Sequence, residues 1–137
     1  MEKIEASESS YLYIALSQIG SAGNGLYTMI DLYKEEIIAI YKGHILTPDQ
    51  IKSKVEHGHD KYFINLPDGS ILDSMNRKCY AKYANDATGM TTSSFKNNAK
   101  IVLDDNDQVC LLAIKNIKSG EEIFCSYGSR YWKKHGK

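Results

Sequence analysis

The sequence predicts a mainly β domain of mixed α+β type, built from several small sheets. Short apolar runs rich in β-branched and aromatic residues recur along the chain of 137 residues. Turn residues separate these runs at intervals of roughly eight to twelve positions, as is usual for small antiparallel sheets. Only one or two stretches have the composition of a short helix. This pattern favours a single β-rich domain over a helical bundle or a parallel α/β sheet.

The N-terminal part of the chain predicts three strands. Residues 11–16 form an apolar, β-prone run, and the glycine-rich stretch 20–25 supplies the turn that follows it. Residues 26–30 and 37–41 are two further β-rich runs, and a charged turn separates them. Their lengths suit strands rather than helices.

A short surface helix is predicted next. Thr47 is a suitable N-cap, and Pro48 has the fixed backbone angle that the first helical turn accepts. The charged stretch continues to Glu56, and we expect Gly58 to end the helix.

Two hairpins are predicted in the second half of the chain. The first joins residues 62–66 to residues 70–73 through Pro67-Asp68-Gly69, a triplet that suits the backbone angles of a tight turn. The second joins residues 99–103 to residues 109–113.

The remaining segments are less regular. Residues 76–85 predict a short helix or an irregular turn, and the polar stretch 86–98 predicts a long loop. Loops of that length are usually functional or mobile. Residues 122–126 predict the last strand.

Charge and hydropathy exclude several classes of protein. Lys and Arg together number 17, as do Asp and Glu, so the chain lacks the overall positive field of a nucleic-acid-binding protein. No apolar run approaches the roughly 20 residues that span a bilayer, and the first ten residues lack a signal-peptide pattern. We therefore expect an intracellular protein with no nucleic-acid or membrane partner.

The cysteines and histidines do not predict a metal site. Three cysteines without CxxC spacing indicate buried, reduced thiols. His57 and His59 are close enough in sequence to bind one metal, but no further ligands accompany them. A solvated loop is the simpler interpretation of this pair, and no metal is expected.

Five short motifs follow one another along the chain. A lone GxG is weak evidence, but the order of the whole set is informative. The motifs are Gly23-Asn24-Gly25, Tyr41-Lys42-Gly43, Tyr62-Phe-Ile-Asn-Leu with Ile71-Leu-Asp73, Lys82-Tyr83-Ala-Asn85-Asp86-Ala87, and Gly120-Glu-Glu122-Ile-Phe-Cys-Ser-Tyr127-Gly128. This set resembles the SET domain family of protein-lysine methyltransferases from about Tyr11 to Trp132.

The resemblance implies a fold and a division of the chain. It implies a SET-type fold of several small sheets, in which the C-terminal segment threads beneath a preceding loop, a rare exception to the rule against threaded connections. Residues 1–10 would be an N-terminal extension, residues 11–128 the SET domain, and residues 129–137 a short segment that closes the cofactor pocket. The cysteine-rich zinc modules that often flank the domain have no counterpart here, so the chain resembles a minimal member.

The resemblance also implies a bound S-adenosylmethionine, with S-adenosylhomocysteine as the product. Backbone groups at Asn24 and Gly25 would meet the methionine portion of the cofactor, where glycine allows close approach. The residues implied to bind the cofactor are Gly23, Asn24, Gly25, Tyr41, Tyr83, Asn85, Asp86 and Trp132. Trp132 would stack on the adenine, although ordinary packing of the tail explains it equally well.

Three further residues are implied to line the lysine channel: Tyr62, Cys125 and Tyr127. Tyr127 matches the tyrosine whose hydroxyl faces the transferred methyl group, and it is the implied catalytic residue. Cys125 occupies a position that in the family is often Phe or Tyr and that helps to set how many methyl groups are added. The smaller cysteine favours di- or trimethylation.

The chain departs from the family pattern in one region. Where the family has Asn-His-Ser or Asn-His-Cys, this chain has Asn85-Asp86-Ala87, and Asn97-Asn98 replaces a Pro-Asn pair after a longer loop. A second hypothesis follows from this departure: a SET-like module that binds peptide or cofactor without turnover. Retention of Asn85 and Tyr127 argues for the enzyme. A third hypothesis, an unrelated β-rich binding domain, would be favoured if S-adenosylmethionine failed to raise the melting temperature.

The motifs do not identify the substrate. The resemblance makes a histone tail the leading candidate, with another protein lysine as the alternative, and nuclear residence would follow from a histone substrate. A basic tail favours an acidic groove, and a second copy of so small a domain is one way to complete it, as a homodimer. The carboxylates that could line such a groove are Asp60, Asp86, Asp104, Asp105, Glu121 and Glu122.

Overall fold

The strands of the chain form three small sheets in the part that the computed structural model describes, which is residues 1–20, 23–60, 63–66, 69–74, 79–87, 95–106 and 108–125. The strands are β1 (Glu2–Lys3), β2 (Leu12–Leu16), β3 (Asn24–Thr28), β4 (Glu36–Ile40), β5 (His44–Ile45), β6 (Phe63–Asn65), β7 (Ile71–Asp73), β8 (Ala99–Leu103), β9 (Val109–Ala113) and β10 (Glu122–Ile123). The helices are α1 (Glu8–Tyr11), α2 (Pro48–Glu56) and the short 3-10 helix Ala81–Tyr83.

The sheets are small and mostly antiparallel. One sheet has the order β1-β4-β9-β8, and in it β1 alone runs parallel to its neighbour. The other two have the orders β10-β3-β2 and β5-β7-β6. Their apolar faces meet in one core that includes fully buried Leu26, Ile38, Leu111 and Ile123. The prediction of a mainly β fold with several small sheets is confirmed.

Several predicted elements are confirmed closely. The hairpin of β8 and β9 has the predicted bounds, and β6 and β7 lie within the predicted runs. A capping box stabilises the start of helix α2: the Thr47 side chain accepts from the N–H of Gln50, and the Gln50 side chain accepts from the N–H of Thr47. Gly58 and Gly69 both have positive φ, as expected of residues that end a helix and a turn. The three cysteines are buried free thiols.

Several element boundaries differ from the prediction. Strand β3 spans Asn24–Thr28 instead of 26–30, because Asn24 and Gly25, predicted as part of a turn, pair with β2. Strand β4 spans Glu36–Ile40 instead of 37–41. Tyr11 ends helix α1 instead of opening the first strand, because the N–H of Leu12 donates to the carbonyl of Glu8 and closes a helical turn. The Tyr11 hydroxyl donates a 2.6 Å hydrogen bond to the carbonyl of Ile38 across the core. Strand β10 stops at Ile123 instead of Ser126. Phe124 and Cys125 leave the sheet and pair singly with Asn85 and Ala99.

The hydrogen bond of Tyr11 predicts a loss of stability at high pH. Burial, with smaller contributions from Glu8 and Glu36, raises the pKa of the Tyr11 phenol from 10.0 to about 12. A raised folded-state pKa means that this stabilisation is complete below the unfolded pKa near 10 and disappears as the pH rises through 12. We expect Tyr11→Phe to remove this part of the pH dependence of unfolding. Urea titrations of both proteins between pH 8 and 12 would measure it, and parallel curves would contradict the prediction.

Candidate active site

The glycine-rich turn between β2 and β3 rests on a buried carboxylate, Glu122. The Glu122 Oε2 atom accepts a 2.6 Å hydrogen bond from the Ser17 hydroxyl, and Oε1 accepts one of 2.8 Å from the backbone N–H of Gln18. The hydroxyl of Tyr27 donates to the carbonyl of Leu16 at 2.6 Å and lies 3.3 Å from Glu122 Oε1. One carboxylate of β10 therefore holds the start of the turn against the strand that follows it.

Gly25 is required by the same contact. A Cβ atom built at Gly25 would lie 2.3 Å from Oε2 of Glu122 and 3.2 Å from the Cα of Ser17. Real Cβ atoms do not approach a carboxylate oxygen so closely, so a side chain at this position would displace Glu122 or the turn. The glycine of the motif thus serves the packing beneath the turn. This contact was not foreseen from the sequence.

Asn85 joins the glycine-rich turn to the C-terminal segment. Its side-chain amide donates a 2.9 Å hydrogen bond to the carbonyl of Asn24. Its own backbone carbonyl accepts a 2.9 Å hydrogen bond from the N–H of Cys125. Three motifs that lie far apart in sequence therefore meet at one half-buried asparagine.

Asn98 holds the other side of the same segment. Its buried side chain donates to the carbonyl of Glu122 at 3.0 Å and accepts from the N–H of Phe124 at 2.8 Å. The N–H groups of Asn98 and Ala99 both donate to the carbonyl of Phe124 at 3.0 Å. Residues 124–125 are thus held between Asn85 and residues 98–99, the two ends of one long loop. This is the arrangement that a threaded C-terminal segment requires.

Tyr41 and Cys125 are in contact beneath this junction. The Tyr41 hydroxyl lies 3.8 Å from the Cys125 sulfur, and both side chains are buried. Burial raises the pKa of the Cys125 thiol to about 12; the Tyr41 hydrogen bond lowers it and the Asp86 charge raises it to smaller extents. At neutral pH this cysteine is therefore a thiol and a poor nucleophile.

Among the predicted cofactor residues, the structure joins Asn24 to Asn85 directly and links Tyr41 to Asn85 through Cys125. Gly23 and Asn24 are exposed at the turn, Tyr83 is half-buried, and Lys82 lies over the Tyr83 ring at 5.5 Å. Asp86 is buried, and its Oδ1 accepts a 3.0 Å hydrogen bond from Asn97. The predictions for Tyr62, Tyr127 and Trp132 lie outside the described residues.

Several of the acidic residues that could have lined a peptide groove are buried inside the domain. Asp60, Asp86, Asp104 and Glu122 are buried, so they offer little carboxylate surface to a basic peptide. Asp104, for example, accepts hydrogen bonds from the N–H groups of Asn106 and Gln108 within a turn. Glu121 and Asp105 are exposed.

Sequence reasoning missed three positioning side chains: Glu122, Asn97 and Asn98. Glu122 belongs to the motif of residues 120–128, and this position was the one indication in the sequence of a role at the site. A Glu-Glu pair after a glycine is nonetheless typical of an exposed turn, and the partners of Glu122 lie about a hundred residues earlier in the chain.

Metal ligation and membrane spanning find no support in the described ranges. Within them, no three His, Cys, Asp or Glu side chains are grouped so that they could hold a metal ion. His57 Nδ1 lies 2.6 Å from the carbonyl of Ser53, one turn earlier at the end of α2. No helix in those ranges has both the length and the apolar character needed to cross a bilayer.

Comparisons with known proteins agree with this geometry. The chain is 24% identical over 125 residues to a histone-lysine N-methyltransferase, SETD7, of Halocynthia roretzi, and the match covers 88% of this chain and 32% of that protein. The fold resembles a solved structure of a humanized mutant of the Chaetomium thermophilum Polycomb Repressive Complex 2 bound to the inhibitor GSK126. That match has a TM-score of 0.67 and 27% identity, and it covers 85% of this chain and 15% of the other.

The chain thus spans about a third of the length of the curated relative that it matches. The family model for the SET domain matches residues 23–128, which is well over half of the chain and includes all five motifs. Together with the turn, the central asparagine and the held C-terminal segment, this match shows that the chain belongs to the SET domain family.

Proposed function

We propose that this chain is an S-adenosylmethionine-dependent protein-lysine N-methyltransferase. Its membership of the SET domain family supports this proposal, as does a relative whose name describes histone-lysine methyl transfer. The single observation that carries it is the double role of Asn85, which is bonded both to the glycine-rich turn and to the segment that leads to Tyr127. A cofactor site and a catalytic tyrosine would need this connection between them.

The chemistry of the described side chains suits this cofactor. Gly23 and Asn24 are exposed beside Asn85, and we propose that these uncharged residues border the amino-acid and nucleoside parts of the cofactor. We propose that half-buried Tyr83 supplies aromatic surface to the cofactor, that Tyr41 borders the pocket from its buried side, and that Gly25 and Asp86 contribute mainly through the backbone. When bound, the cofactor supplies a methyl group on a positively charged sulfur and leaves as S-adenosylhomocysteine. We propose that Trp132, in the segment 129–137, covers the adenine.

The substrate amine must be neutral to accept a methyl group. At its ordinary pKa near 10.4, only about one lysine in 2,500 is neutral at pH 7. An apolar aromatic channel disfavours the ammonium form and lowers that pKa. We propose that Tyr62 and Tyr127 line this channel, hold the entering cation against their rings, and orient the nitrogen lone pair through the Tyr127 hydroxyl.

The proposed substrate is a histone tail, with another protein lysine as the alternative. Nuclear residence would follow from a histone substrate, and a homodimer would be one way to complete the peptide groove. No observation in the described residues favours a non-catalytic module. The departure at Asp86 has a structural account in its bond to Asn97, so it does not by itself indicate lost activity.

The test is methyl transfer from labelled S-adenosylmethionine to a panel of core histones, followed by a protein extract. Cofactor binding is measured separately by calorimetry. We expect S-adenosylmethionine to bind with micromolar or tighter affinity. We also expect label on specific lysines of the substrate, which mass spectrometry would identify. Absence of cofactor binding would refute the proposal. Binding without transfer to either substrate pool would favour the non-catalytic module.

The size of Cys125 predicts the degree of methylation. Cysteine replaces the larger aromatic residue that is common at this position in the family, which leaves more room beside the substrate nitrogen. We expect di- or trimethyl-lysine to accumulate when the reaction is run to saturation. Intact-mass and peptide mass spectrometry over the full time course would detect it, and a product that stops at monomethyl-lysine would contradict this prediction.

A further inference from the structure

Asp86 and Asn97 form a clamp across the base of the long loop. The Asn97 side chain donates from Nδ2 to Oδ1 of Asp86 at 3.0 Å. Its Oδ1 atom accepts from the backbone N–H of Ala87 at 2.9 Å. One carboxamide therefore ties two consecutive residues at the start of the loop to its end. We refer to Asp86 and Asn97 as the Asp86–Asn97 clamp.

The clamp lies directly beside the segment that leads to Tyr127. Asn85, one residue before the clamp, accepts from the N–H of Cys125. Asn98, one residue after it, holds Phe124 on both its N–H and its carbonyl. Residues 124–125 lie between Asn85 and Asn98, so the distance between these two residues determines how much room the segment has.

Packing on the same side reinforces this arrangement. Phe95 stacks on Phe124 with ring centroids 5.4 Å apart. Ala87, Ile19 and Phe124 form a small buried cluster that also reaches the glycine-rich turn. Asp86 and Ala87 are each only 2% exposed. A change in the clamp is therefore transmitted to Phe124 through both hydrogen bonds and contact.

We propose that the Asp86–Asn97 clamp is a positioning pair that sets where the Phe124–Cys125 segment stands relative to the glycine-rich turn. This inference rests on the proposed function. It assigns a paired role to two residues that both depart from the family pattern. The acidic side chain at position 86 and the amide at position 97 complement each other as hydrogen-bond acceptor and donor.

Charge and hydrogen bonding make the pair testable by exchange. In Asn97→Asp, two carboxylates face each other in a buried site, and the donor to Asp86 is lost. In the combination of Asp86→Asn with Asn97→Asp, an amide at position 86 can donate to a carboxylate at position 97. That carboxylate can still accept from Ala87. The exchanged pair should therefore restore what the single change removes.

The first readout is steady-state kinetics at a temperature well below unfolding. We expect Asn97→Asp to lower kcat about tenfold or more with a smaller change in the KM for peptide, because misplacement acts on the oriented reaction step. The exchanged pair should recover kcat to within about threefold of the original value. Asn116→Asp is the matched control, since Asn116 accepts a backbone N–H from Lys34 outside the clamp.

The second readout does not depend on enzymatic activity. Cys125 is fully buried, so its alkylation by iodoacetamide, followed by mass spectrometry at each cysteine, reports how firmly the segment is held. We expect alkylation of Cys125 to rise about tenfold or more in Asn97→Asp and to return toward the original rate in the exchanged pair. Cys110, in strand β9, should be unaffected and provides the internal reference.

Unchanged kcat with unchanged Cys125 protection in Asn97→Asp would overturn the proposal, as would an exchanged pair no better than the single change. If Asn97→Asp does not fold, Asn97→Ala takes its place with the same two readouts. If the original protein methylates no substrate, the proposed function is contradicted independently of the clamp. The alkylation comparison then still decides whether the clamp holds the segment.

Discussion

Tyr127→Phe is expected to lower kcat for methyl transfer about a hundredfold or more while cofactor affinity changes little. The substitution removes only the hydroxyl that we propose orients the substrate nitrogen, and loss of one such oriented group costs 10² to 10⁴ in rate. The aromatic ring stays, so the wall of the channel and its attraction for the entering cation are retained. Single-turnover kinetics with labelled cofactor, beside calorimetric binding, would separate the two effects.

Tyr33→Phe is the matched control for this experiment. The Tyr33 side chain is 57% exposed, so loss of its hydroxyl should leave both rate and affinity unchanged. If Tyr127→Phe retained more than about a third of the original rate, Tyr127 would not be the orienting residue. A parallel loss of cofactor binding would instead mean that the hydroxyl supports the pocket.

Glu122→Gln is expected to weaken both the fold and the cofactor site. The buried carboxylate accepts from the Ser17 hydroxyl and the Gln18 N–H, and the Tyr27 hydroxyl lies 3.3 Å from it. An amide in its place turns an NH₂ group toward some of those donors. Hydrogen bonds to charged groups contribute about 1.5–3 kcal/mol each, so a loss of about 2–3 kcal/mol in unfolding free energy is expected. Since the same contacts hold the glycine-rich turn, affinity for S-adenosylmethionine should fall about tenfold.

Glu121→Gln supplies the control from the adjacent position. Glu121 is exposed, and among the hydrogen bonds described its side chain accepts only a turn N–H, that of Lys118. Urea unfolding and calorimetry should therefore show changes below about 0.5 kcal/mol. Equal effects of the two substitutions would mean that net charge, rather than the buried contacts of Glu122, supports the turn.

Local chemistry made much of the fold predictable from sequence. The cap at Thr47, the positive φ at Gly69 and the β-branched run of residues 99–103 each specify their own backbone within a few residues. Such elements depend on neighbours in sequence, so their prediction needs no tertiary information. The order of the five motifs likewise identified the family, and the family match excludes an unrelated β-rich domain.

The ends of elements were harder to predict, because distant partners decide them. Strand β3 begins at Asn24 because that residue pairs with Leu16 of β2, and β10 stops where Phe124 and Cys125 turn to Asn85 and Ala99. Acidic residues near turns are usually exposed, but Glu122 and Asp86 are buried.

The sequence by itself determined the β-rich fold class, the helix and hairpins with local signals, and the five motifs that define the family. Only the tertiary structure decided which side chains support the candidate site. Glu122 beneath the glycine-rich turn, Asn85 between two motifs, and Asn97 across the loop all act on partners brought together by folding. The physical reason is that a buried polar group is defined by its hydrogen-bond partners, and those partners are not its sequence neighbours.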